Sequence, residues 1–124
     1  MHGVVFTHVF ERQAKEAGLW EEELMEIASW LAENPLAGDL IVGTGGARKV
    51  RFSREGKGKS GGYRTIHYFG GPDVPIFLLA LVDKGRRSNL SMAERNTLAI
   101  TLGKIGKAYR ESAAARAKLH RGLQ

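Results

Sequence analysis

Seven basic side chains crowd the segment from Gly43 to Arg64: Arg48, Lys49, Arg51, Arg54, Lys57, Lys59 and Arg64, against the single acid Glu55. Ammonium groups attract phosphate oxygens as point charges, and a guanidinium holds two of them at once. Seven of the 16 glycines fall in the same segment, where they let backbone approach a ligand closely. The rest of the chain is sorted by sign. Residues 1–42 carry eight acids and two bases, while residues 65–124 carry ten bases and four acids. A net charge of +6 gathered in this way implies a polyanionic partner, most simply a nucleic acid.

Other chemistries find little support. With no cysteine there is no disulfide, thiolate zinc site or cysteine nucleophile. His2, His8, His67 and His120 do not fall at metal-ligand spacing, so no metal and no cofactor are expected. Ser53–Ser60, SREGKGKS, is close to a P-loop but has serine for the first glycine, and it leads into a strand where a P-loop enters a helix. No serine lies in a GxSxG elbow. His67 falls within a strand, where packing or hydrogen bonding competes with proton transfer as its role. No apolar run is long enough for a membrane helix and the N-terminus shows no export signal, so a cytoplasmic protein without membrane contact is expected.

The elements that must position the basic residues follow from period and punctuation. Val4-Val5-Phe6 is β-prone. Phe10, Ala14 and Ala17 recur at helical spacing before Gly18, which can end that helix. A second helix is predicted from Trp20 to Glu33, with Trp20, Leu24, Ile27 and Leu31 on one face, and Asn34-Pro35 stops it. From Arg48 to Arg54 the period changes to two, placing Val50 and Phe52 on one side and Lys49 and Arg51 on the other. Tyr63–Phe69 is the next strand. Gly70-Gly71-Pro72-Asp73 is a turn, and Pro75–Val82 reads as a central strand covered on both faces. Ser91 to Glu94 fits a capping box opening a last helix with a stripe of Leu98, Leu102, Ile105 and Tyr109. The order β-α-α-β-β-β-α predicts one α+β domain over residues 1–124, a small antiparallel sheet with two N-terminal helices and one C-terminal helix. Residues 110–124 form a basic extension that either continues the helix or frays.

The run from Asn34 to Phe69, NPLAGDLIVGTGGARKVRFSREGKGKSGGYRTIHYF, closely resembles the HigB-type branch of the RelE/ParE toxin superfamily. The shared features are Asn-Pro-x-x-Gly-Asp, Gly-Thr-Gly-Gly-x-Arg-Lys, a Gly-x-Gly-Lys loop and a Gly-Gly-x-Arg opening a strand. The resemblance implies the toxin of a type II toxin–antitoxin system, a ribosome-dependent mRNA endonuclease that inhibits translation. Its metal-free chemistry would be attack of a ribose 2′-hydroxyl on the adjacent phosphate with departure of the 5′-oxygen, assisted by basic side chains. The partners implied are mRNA in the ribosomal A site, the ribosome and a helix-turn-helix antitoxin.

Matched position by position, the resemblance assigns Arg64 to phosphate clamping and places Lys49, Arg51, Lys59 and Lys84 with it as catalytic candidates. Lys49, unlike Arg51, would serve as general base if neighbouring cations lowered its pKa. Arg48, Lys57, Arg86, Arg87 and His67 are candidates for RNA binding. Ser91 stands near the place of the tyrosine used by RelE-type members, which leaves His67 and Lys84 as the alternatives for general acid. Two rival readings share the fold: a gyrase poison without RNase activity, and an inactive remnant that binds only RNA or antitoxin.

Overall fold

The computed structural model describes residues 3–53, 62–72, 74–83 and 90–122. Strand β1 (Val4–Phe6) leads into helices α1 (His8–Glu16) and α2 (Glu21–Glu33). Strands β2 (Asp39–Leu40), β3 (Ala47–Phe52), β4 (Tyr63–Tyr68) and β5 (Ile76–Asp83) follow, then helix α3 (Met92–Gly122). The basic extension thus continues the last helix as far as Gly122.

Local chemistry explains the boundaries. Thr7 caps α1 by accepting from the Phe10 N–H at 3.2 Å, and its hydroxyl also donates to the carbonyl of Leu78 at 2.9 Å. One side chain therefore starts the helix and ties it to β5. Gly18, in left-handed backbone at φ +74°, follows α1 as its position predicts. At α2 the Glu23 carboxylate accepts from the Trp20 N–H at 3.0 Å. The capping box at Ser91 is present in both directions: the Ser91 N–H donates to Glu94, and the Glu94 N–H donates to the Ser91 hydroxyl.

The sheet order is β1-β5-β4-β3-β2. Strands β3, β4 and β5 form the expected antiparallel meander, but β1 runs parallel to β5, so the sheet is mixed and not wholly antiparallel. The reason is topological. After β1 the chain crosses one face of the sheet as α1 and α2, which leaves β1 on the far edge of β5. Hydrophobic period reports which face is buried but carries no information on a strand's partner or direction. The additional β2 is only two residues long and pairs with Arg48 and Lys49. Strand β5 also carries one extra residue, Leu79, between the pairs Ile66–Ala80 and His67–Leu78.

Two cores sandwich the sheet. Phe10, Ala14, Ile27 and Leu31 of α1 and α2 pack on Val50, Tyr63, Leu78 and Leu81. On the opposite face Leu98, Leu102, Ile105 and Tyr109 of α3 pack around Ala47, Ile66, Phe77 and Val82, which bears out the predicted stripe. Burial of a side chain such as Phe10, Leu31 or Leu102 contributes about 1.5–3 kcal/mol each. Trp20 departs from its predicted place on the α2 stripe. It precedes the helix and is 69% exposed, because the helical register begins only at Glu21.

Candidate functional site

The alternation along β3 divides its basic residues between the two faces of the sheet. Arg48 shares a side with Val50 and Phe52, facing α1 and α2, whereas Lys49 and Arg51 face the α3 side. On β4 the same rule puts Arg64 with Ile66 and Tyr68 on the α3 side. Arg51 and Arg64 are direct cross-strand partners, while Lys49 lies opposite Ile66 and so diagonal to Arg64. Long side chains meet across such a diagonal, and like charges directly opposite one another are unfavourable. Lys49, Arg51 and Arg64 thus share one face of the sheet.

Between β3, β4 and the start of α3 lies a cavity of about 20 Å³. Lys49, Arg64 and Arg95 line it over an aliphatic floor of Ile41, Ile66 and Val82, with no carboxylate among the described lining residues. Arg95 is the member that sequence reading missed. A signal for it was present, since residue 95 is the next upstream position of the Leu98, Leu102, Ile105 stripe, where a cation stands out against apolar neighbours.

Two further candidates lie on the other face, apart from this group. Arg48 donates through Nη1 to the carbonyls of Leu36 and Gly38, at 3.1 and 3.2 Å. His67, fully buried, places Nε2 2.9 Å from the carbonyl of Pro35. A carbonyl only accepts, so Nε2 carries the proton and Nδ1 is the bare nitrogen. Nδ1 is buried with no hydrogen-bond partner. Burial holds the His67 pKa below its ordinary value; the Pro35 bond acts in the opposite sense and the Arg48 charge adds to the lowering. His67 and Arg48 are register partners and together grip the link from α2 to β2. Lys57, Lys59, Lys84, Arg86 and Arg87 lie outside the described residues.

The motif residues around the site have structural work of their own. Thr44, fully buried, donates to the carbonyl of Ile41 at 2.7 Å and accepts from the N–H of Ala47 at 3.1 Å, closing the turn between β2 and β3. Gly38 sits at φ +85°, and a Cβ there would lie 2.2 Å from the Lys49 carbonyl oxygen, so only glycine lets the backbone pass so close to β3. A cleft of about 750 Å³ lies between α2 and the end of β3. Glu22, Glu23 and Glu26 line it beside Trp20 and Trp30, with Arg51 as the one cation among its described lining residues, so acids outnumber bases there. Among the described residues no group of three or more His, Cys, Asp or Glu side chains is placed to hold a metal, and no helix is long and apolar enough to cross a membrane.

In fold, the structure resembles an arginine-to-alanine double mutant of the E. coli toxin RelE in the free state. The match covers 81% of this chain and 95% of that one, with a TM-score of 0.50 at 17% sequence identity. The family model described as the RelE toxin of the RelE / RelB toxin-antitoxin system matches residues 3–122. The cationic face thus sits within a fold matched over nearly its whole length, and the chain belongs to the RelE toxin family.

Proposed function

We propose that this toxin is a metal-independent endoribonuclease that cleaves mRNA in the ribosomal A site and thereby stops translation. The observation that carries the reading is the diagonal pair of Lys49 and Arg64 on one sheet face, around a cavity with no acid among its described lining residues. In the proposed reaction the ribose 2′-oxygen attacks the adjacent phosphorus and the bond from phosphorus to the 5′-oxygen breaks. The products are a 2′,3′-cyclic phosphate and a 5′-hydroxyl. Arg64 and Lys49 stabilise the charge that develops on the phosphate oxygens in the transition state, with Arg51 steering the strand from its exposed position.

The 2′-proton must leave and the 5′-oxygen must be protonated. His67 is poorly placed for either role, since it faces the opposite side of the sheet with its one proton engaged by Pro35. Lys84 is the remaining candidate for general acid. The ribosome supplies the substrate strand, and an antitoxin with a helix-turn-helix domain is the proposed cellular partner in the cytoplasm.

Primer extension on an mRNA in a purified translation reaction tests the proposal. Discrete cuts are expected only when ribosomes are present. Intact mRNA with unimpaired translation would overturn it, and DNA-damage signalling on expression would point to a gyrase poison.

A further inference from the structure

We propose that Arg95 completes a seat for one non-bridging phosphate oxygen of the substrate, closing from α3 the cationic site that Lys49 and Arg64 open from the sheet. The identity of the ligand as RNA phosphate rests on the cleavage reading; the anion seat itself rests on the geometry.

Three observations converge. The Nε of Arg95 is buried and has no hydrogen-bond partner. A buried guanidinium donor left unmade is costly, and the group that would satisfy it is an acceptor, preferably anionic. Among the described residues the cavity beside it is lined by two further cations and no carboxylate, so no acidic side chain described there satisfies the Arg95 Nε. Its volume of about 20 Å³ exceeds what a single water-sized group needs and is far too small for a base or sugar. An oxygen of a phosphodiester meets all three conditions. Arg95 lies in the opening turns of α3, where the capping box fixes the helix start, and its position on the apolar stripe aims it at the sheet. It is thus held by packing rather than by an ion pair seen in the structure.

Arg95→Met separates this role from a packing one, because the methionine stem still covers the aliphatic floor but offers no charge. Arg95→Gln serves as the second variant, and Arg12→Gln, at an exposed α1 position paired with Glu16, is the control. In the translation reaction Arg95→Met should lower kcat on the order of 100-fold with KM little changed, as for loss of one oxyanion donor. Separately, inorganic phosphate at constant ionic strength should raise the Tm of the wild type and of Arg12→Gln, and should fail to raise that of Arg95→Met or Arg95→Gln. A folded Arg95→Met protein that cuts as the wild type does would overturn the seat and leave the cleavage reading standing. A phosphate-dependent Tm rise that needs Arg95, in a protein that never cuts mRNA, would retain the seat and overturn the cleavage reading. A wild type indifferent to phosphate would overturn the seat.

Discussion

At the scale of single residues, the two faces of the sheet separate two jobs that the sequence runs together. Lys49 and Arg64 face a cavity; Arg48, next to Lys49 in β3, and its cross-strand partner His67 hold backbone. Arg64→Gln is expected to cut ribosome-dependent cleavage by two to three orders of magnitude, roughly the effect of removing one preorganised donor, with an unchanged circular dichroism spectrum. His67 makes a different prediction. Its folded pKa is depressed, so on acidification the unfolded chain takes up the proton first. Stability contributed by neutral His67 is therefore present above the ordinary histidine pKa and falls as pH drops through it, by up to about 1.4 kcal/mol per pH unit. Urea unfolding between pH 7.5 and 5.5 should show that slope, and His67→Gln, whose amide can still donate to Pro35, should flatten it. Alternation alone made the separation of Lys49 and Arg51 from Val50 and Phe52 legible. What the sequence did not show was that Arg48 and His67 would turn inward to a loop, because their acceptors are main-chain carbonyls, which no residue type advertises.

At the scale of elements, the turn between β2 and β3 helps set the register of β3, which carries Lys49. Thr44 bonds both its ends, so Thr44→Val leaves the Ile41 carbonyl and the Ala47 N–H without that partner. A loss of about 1–3 kcal/mol is expected in urea unfolding. Because a slip of one residue would exchange Lys49 for Arg48 on the cationic face, cleavage should fall along with stability. Helices and the antiparallel meander were readable because apolar spacing, the Ser91–Glu94 box and Asn34-Pro35 all act locally. The parallel placement of β1 and the two-residue β2 were not, since both depend on which distant strand offers a free edge. Arg95 lies between these cases: its stripe position was visible in the sequence, and only the sheet beneath it shows that it shares a cavity with Lys49 and Arg64.

At the scale of the whole molecule, charge is divided between opposite sides. The acids Glu22, Glu23 and Glu26 of α2 line a wide cleft with Arg51 at its edge, while Lys49, Arg64 and Arg95 line a small cavity beneath α3. On the proposed reading, such an arrangement would orient the protein on a polyanion as well as attract it. Neutralising the cleft with Glu22→Gln and Glu26→Gln should strengthen binding to single-stranded RNA, measured by fluorescence anisotropy, without changing which codons are cut. The affinity of the wild type for ribosomes should fall steeply with salt, as expected when phosphate contacts release counterions. Binding that ignores ionic strength would be inconsistent with a phosphate-reading face.

The bond from Thr7 to Leu78 spans 71 residues, and β1 finds its partner only in β5. Strand β1 therefore cannot make this pairing until β5, much later in the chain, is available. While a nascent chain lacks β5, β1 has no described partner strand and Phe10 lacks Leu78 and Leu81 of its core. Contacts of such long range close late, after the local hairpins of β3, β4 and β5 have formed. The cationic cavity draws its walls from residues as far apart as Ile41 and Arg95. A truncated product that stops before α3 thus lacks part of the site, and the site is assembled only after Arg95 has emerged from the ribosome that made it.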